Sequence, residues 1–255
     1  AAVGESCTRV KVGERIMVSP GWTCGQCVAC LRGEDNLCRA YQIIGGYGVD
    51  GGCAELVCVP EVNCIPIPER LDYPAAAAVP LTFLTAWNML VRQARLKAGE
   101  EVLVMGAGSG GGSAAIQIAK LYGARVIAVA SADDKLAKAA DLGADAGINY
   151  AKQDLGQEIR RLTGKRGVDV VFEHVGGATW EKLIPNIAPG GRLVTCGATA
   201  GYDAKVDIRY LFSKSIAVLG AFMGCKVDLL EVVRYMAEGK LRPVVDRTLP
   251  LSECA

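Results

Sequence analysis

The sequence has a single histidine, four phenylalanines and almost no excess of charge in its 255 residues. Lys and Arg number 28 against 27 Asp and Glu, net +1, so no broad field exists to attract nucleic acid or an acidic membrane surface, and neither is an expected partner. Long apolar runs are missing too: stretches such as 73–85 are broken by prolines and threonines and fall short of a bilayer span. With no signal-peptide pattern in the first residues, the expected compartment is the cytoplasm. There is no internal repeat and no low-complexity tract.

Against those scarcities stand 31 glycines, 51% hydrophobic and 22% charged residues, the balance of a compact Ala/Gly/Val-rich α/β chain. One large domain or two unequal ones fit this length. Eleven cysteines could staple a small secreted fold, but a chain with this much core needs no disulfides. Reduced thiols plus a metal are expected, with the cysteines at 7, 53, 58, 64, 196, 225 and 254 packing as small apolar residues.

The first third is punctuated by proline and glycine, and 15–19, 52–60 and 64–66 read as short strands of a β-rich lobe. Alanine-rich helical patterning runs from Tyr73 to about Arg95. From there apolar runs at 101–105, 125–130, 146–150, 168–173, 191–196 and 215–221 alternate with amphipathic segments such as 113–122 and 133–142. Strands alternating with helices imply a parallel, doubly wound sheet, because parallel neighbours need crossover connections. Gly123, Gly143 and Gly164 stand where helices should stop, and Asp133 where a first-turn acid or N-cap belongs.

Cys24, Cys27, Cys30 and Cys38 form C-x2-C-x2-C-x7-C within one glycine-containing loop. Four thiolates complete a tetrahedral zinc shell with no open position, so such a site holds structure and does no chemistry. An iron–sulfur cluster also begins C-x2-C-x2-C, but here the fourth cysteine lies too far on and no proline follows it. Four unliganded buried thiols would lie on a core face, not along a loop.

Val102–Met105 leads into Gly106-Ala107-Gly108-Ser109-Gly110-Gly111-Gly112 and then an Ala/Ile-rich helix. A strand, a glycine turn and a helix in that order let a pyrophosphate reach unpaired amides at the positive end of the helix. A merely tight turn is the alternative, weakened by the alternating strands that follow. The second strand ends Val129-Ala130-Ser131, without the carboxylate that binds ribose hydroxyls. Ser131 and Lys135 can serve a 2′-phosphate, so NADP is favoured over NAD. Asp133 and Asp134 oppose this mildly and read better as helix-start acids.

With Val10-Lys11-Val12-Gly13-Glu14-Arg15, the cysteine lobe, Pro80-Leu81-Thr82-Phe83-Leu84-Thr85-Ala86-Trp87, the glycine turn and Gly190-Gly191-Arg192-Leu193-Val194 in this order, the chain resembles the medium-chain dehydrogenase/reductase superfamily. The likeness covers essentially the whole chain and is greatest to bacterial zinc-type alcohol dehydrogenases and quinone-reductase-related members. It implies an α/β fold: a Rossmann sheet plus part of a GroES-like β-rich catalytic domain carrying the structural zinc lobe. The expected divisions are 1–78, 79–224 and, returning to the catalytic domain, 225–255. It further implies a small-molecule substrate, Thr85 near the nicotinamide, and a homo-dimer or homo-tetramer paired through the strand at 215–221. In that family the catalytic-zinc ligands mostly precede the Val-Gly-Glu stretch and a helix and strand follow the Leu249-Pro250 region, so the sequence reads as a fragment. Leu81 stands where many members have a further cysteine, which implies an altered catalytic zinc site or none.

His174 ends the fourth strand of the series, where it could touch the nicotinamide ribose, relay a proton, or simply be a hydrogen-bonded strand-end residue. Thr85 and His174 are therefore weak catalytic candidates, and Glu173 reads as structural. The expected function is NAD(P)-dependent hydride transfer between nicotinamide and an alcohol, aldehyde or ketone. The competing readings are a zinc-independent NADPH quinone or enone reductase, a catalytically silent nucleotide-binding protein, and, less favoured, a zinc-ribbon nucleic-acid module.

Overall fold

The computed structural model describes residues 2–253, so Cys254 lies outside it. The chain divides into two compact units, one made of the residues up to Leu84 with those from Met223 on, the other of Thr85–Phe222. The change in sequence character at 78/79 comes earlier than this division because Phe83 and Leu84 are buried in the first unit, where Leu84 packs on Gly224.

In the first unit β1 (Ile16–Val18) pairs antiparallel with β5 (Cys64–Pro66), burying Met17 against Ile65. Between them in the chain, β2 (Gly21–Trp22), β3 (Gln42–Ile44) and β4 (Gly48–Val49) form a three-stranded sheet. A short helix α1 (Val28–Leu31) and a 3₁₀ turn (Asp35–Leu37) lie in the cysteine loop. Helix α2 (Tyr73–Ala77) starts at Asp72, whose carboxylate accepts from the Ala75 amide at 2.8 Å. The strand expected at 52–60 does not form: Leu56 is 78% exposed, so the apolar residues there have no face to bury against and the segment is irregular.

Helix α3 (Thr82–Trp87) carries the chain across the division and runs into a π-helical turn (Asn88–Gln93) that opens the second unit. Strands β6 (Glu101–Val104), β7 (Arg125–Ala130), β8 (Ala146–Asn149), β9 (Val168–Glu173), β10 (Ile187–Thr195) and β11 (Ala217–Gly220) form one parallel sheet in the order β11-β10-β9-β6-β7-β8. Helices α4 (Gly110–Leu121), α5 (Asp133–Asp141), α6 (Leu155–Leu162), α7 (Thr179–Leu183) and α8 (Ile208–Lys214) make the crossovers. The central strands are Val/Ile/Leu runs buried on both faces, as a helix-covered parallel sheet requires. Strand order reverses between β6 and β9, and a ligand crevice belongs at the carboxyl ends of such strands.

Gly123, Gly143 and Gly164 follow the ends of α4, α5 and α6 at φ +74°, +105° and +58°, left-handed stops open to glycine at no steric cost. Two elements begin earlier than the sequence pattern indicates. Helix α4 starts at Gly110, not 113, because the Ser109 hydroxyl caps it and draws the glycines into its first turn. Strand β10 starts at Ile187, not 191, through a register shift against β9.

The last α-helix among the described residues, α9 (Lys226–Ala237), belongs to the first unit. No helix among the described residues is long and apolar enough to cross a membrane.

Candidate functional site

The turn after β6 is stitched to both neighbouring strands: Met105 N donates to the Phe172 carbonyl (3.0 Å) and Ala107 N to the Val129 carbonyl (2.9 Å). Gly106 sits at φ +60°, and a Cβ there would stand 2.8 Å from the His174 ring. A Cβ on Gly112 would lie 2.3 Å from the Gly106 carbonyl, so glycine is required where helix and turn close on each other. Gly108 is exposed and covered by the Lys135 stem, which a Cβ would meet at 3.0 Å. Gly110 and Gly111 open α4, and a Cβ on Gly111 would make only ordinary contact with Phe172. This glycine-rich backbone lies at the amino end of a 12-residue helix, the place where an anionic pyrophosphate finds unpaired amides.

Past β7, Ser131 and Lys135 are exposed. Asp133 is already engaged: Asn149 Nδ2 and Lys152 Nζ each donate to it at 2.5 Å, and Lys152 foremost holds its carboxyl below the usual range. Beside the turn lies a cavity of about 390 Å³ bordered by Met105, Gly106, Tyr150, Leu155, Val175 and Thr179. Sequence reading missed Tyr150, Val175 and Thr179 as site residues. The available signal was position, since Tyr150 directly follows the carboxyl end of β8 and Val175 lies two residues past that of β9.

Glu173 is fully buried and accepts from Val175 N (2.6 Å), Gly176 N (2.7 Å), Trp180 Nε1 (3.1 Å) and Thr195 Oγ1 (3.1 Å). Four donors satisfy its carboxylate and fix the loop that carries Val175. His174 turns Nε2 to the Met105 carbonyl at 3.1 Å, with the Ser109 hydroxyl at 3.4 Å. Thr85 sits half-buried on α3, elsewhere in the unit's element order.

In the first unit the sulfurs of Cys24, Cys27, Cys30 and Cys38 all lie within 4.8 Å of one another. Individual separations are 3.5 Å (Cys24–Cys38), 3.6 Å (Cys27–Cys30) and 4.0 Å (Cys24–Cys30). Sulfurs bound at about 2.3 Å around a tetrahedral ion stand about 3.8 Å apart, close to the separations here, so the set fits zinc. The Gln26 and Cys27 amides pull the Cys24 thiol down to about 6, while desolvation and the neighbouring sulfurs push Cys30 up to about 12. Sulfurs this crowded ionise together only around a cation. Lys226 braces the lobe from α9, with its amide on Asp35 Oδ1 (3.0 Å) and its ammonium on Asp35 Oδ2 (2.9 Å) and Thr23 Oγ1 (3.2 Å).

The pattern of zinc-binding dehydrogenases matches residues 110–238, and that of the alcohol dehydrogenase GroES-like domain matches residues 1–69. An alcohol dehydrogenase of Geobacillus stearothermophilus is 34% identical over 248 residues, 96% of this chain and 71% of that protein. A crystal structure of an NAD-dependent alcohol dehydrogenase aligns with a TM-score of 0.91 at 46% identity, over 95% of this chain and 71% of the other. The cobalt- and zinc-bound thermostable alcohol dehydrogenase of Pyrobaculum aerophilum gives 0.87 at 33% identity, over 98% of this chain and 72% of the other. With this sheet order, glycine turn and cysteine lobe, the chain belongs to the zinc-binding dehydrogenase family within the medium-chain dehydrogenase/reductase superfamily. It is an oxidoreductase of the alcohol dehydrogenase type.

Proposed function

We propose that the chain is an NAD(P)-dependent alcohol dehydrogenase moving a hydride between nicotinamide and a small alcohol, aldehyde or ketone. The observation that carries this is the turn 106–112, where Gly106 and Gly112 have no room for a Cβ at the reversal point of the sheet. Gly106, Gly108, Ser109, Gly110, Gly111 and Gly112 present the pyrophosphate cradle, and the adjoining cavity accepts the flat adenine between Tyr150 and Val175. The bound nicotinamide supplies or accepts the hydride. Thr85 is assigned to the nicotinamide end on the family likeness alone.

Cofactor choice is assigned to Ser131 and Lys135. The nearby acid Asp133 is paired with Lys152, which leaves Lys135 to meet a 2′-phosphate and supports NADP over NAD. Cys24, Cys27, Cys30 and Cys38 hold one zinc that maintains the lobe and takes no part in the reaction. The molecule pairs into a homo-dimer or homo-tetramer through the edge strand β11, where Val218 is 41% exposed, with Phe222 just past the strand 52% exposed.

Fluorescence titration with NADPH and NADH, beside zinc analysis, tests the reading. Binding of both with NADPH tighter, and a zinc lost on Cys24→Ser, is the expected result. NADH bound more tightly reverses the cofactor assignment, and binding of neither removes the nucleotide site. Light scattering that shows only monomer removes the β11 assembly.

A further inference from the structure

The ladder between β6 and β9 ends at Val104 and Phe172, and beyond it a side chain takes over. The His174 ring places Nε2 3.1 Å from the carbonyl of Met105, the residue that enters the glycine turn. A carbonyl only accepts, so Nε2 carries the proton and donates it. The same nitrogen lies 3.4 Å from the hydroxyl of Ser109, which in turn accepts the Gly112 amide at 2.9 Å in the first turn of α4. Between these two points the ring fills the space a Gly106 Cβ would need, at 2.8 Å. One imidazole thus meets the entry of the turn, its first glycine and its helix cap.

Phe172 meets the ring edge-on with centroids 5.8 Å apart, and the Thr199 hydroxyl holds the His174 backbone by donating to its carbonyl at 3.1 Å. A run of glycines is otherwise free to take many shapes, and a ligand that must order it binds more weakly.

We propose that His174 is a positioning residue for the nucleotide pyrophosphate, holding the turn 106–112 in the shape that presents its amides. Its Nε2 is committed to the Met105 carbonyl, so the role assigned to it is exerted through the turn. This assignment rests on the reading of the turn as a dinucleotide site. Its effect falls on ligands that carry a pyrophosphate, whichever nicotinamide cofactor is used, and spares those that carry only the nucleoside.

Calorimetric titration with ADP-ribose and with adenosine tests it in the wild type and in His174→Ala, His174→Asn and His174→Gln. The Ala and Asn variants, which lose or cannot reach Met105, should bind ADP-ribose about tenfold more weakly, as expected for one lost hydrogen bond with its ordering effect. Gln, long enough to donate to the carbonyl, should recover most of that loss, and adenosine should bind all four proteins alike. Should Ala fail to fold, Asn carries the comparison. Unchanged ADP-ribose affinity in Ala and Asn, an equal loss for adenosine, or no recovery in Gln overturns the assignment to His174 while leaving the nucleotide site intact. A wild type that binds neither ligand overturns the dinucleotide reading and the proposal together.

Discussion

At Gly106 a positive φ of +60° and a ring 2.8 Å from any Cβ coincide, so the two penalties add in a substitution. Gly106→Ala should weaken NADPH binding by at least about tenfold in a fluorescence titration, since it strains the backbone and displaces His174. Binding within twofold of wild type would mean the turn tolerates the methyl and is not the cradle. The glycines were legible in the sequence because their spacing has a mechanism. The His174 contact was not, since it joins residues 69 apart and nothing local in Phe172-Glu173-His174 marks where the ring points. A second residue with a readable consequence is Asp169. The Arg166 guanidinium, donating to both of its oxygens at 2.7 Å, holds the Asp169 carboxyl below its usual range. A carboxyl depressed in the fold contributes stability that is present above its unfolded value, about 3.9, and lost as pH falls through its folded value. Asp169→Asn should therefore lower Tm at pH 7, with the gap to wild type narrowing near pH 3. A gap that stays constant over that range would show that ionisation of Asp169 is not the source.

At the scale of elements, the alternation of strand and helix made the nucleotide unit readable, because buried parallel strands are nearly pure apolar runs. The first unit was less so. Its strands are two or three residues long, too short for any period to register, and 52–60 carries apolar residues that bury little. What remained legible there was the cysteine spacing, since four ligands to one ion must be close in space and a single loop brings them together. Chelation of zinc, or Cys38→Ser, should lower Tm by about 5–10 °C, the equivalent of a few kcal/mol for a chain of this size. Nucleotide titration should be unaffected, because the glycine turn belongs to the other unit. A parallel loss of nucleotide affinity would contradict that separation.

For the whole molecule, the family motifs in their order carried the two-unit plan, while the exact points of division depended on packing: Leu84 lies against Gly224, 140 positions away in the chain. The first unit is interrupted in the chain by the second. During synthesis the thiols of Cys24–Cys38 emerge early and close together, whereas the Asp35 carboxylate waits 191 residues for Lys226. All of Thr85–Phe222 emerges in between. Vectorial synthesis therefore sets a sequence of events that refolding from denaturant does not impose: the guest can be complete before its host is. Ribosome-bound chains stalled once Phe222 has emerged should already protect the guest from protease while leaving the segment before Leu84 open to cleavage. Equal protection of both would show that the early segment folds without α9.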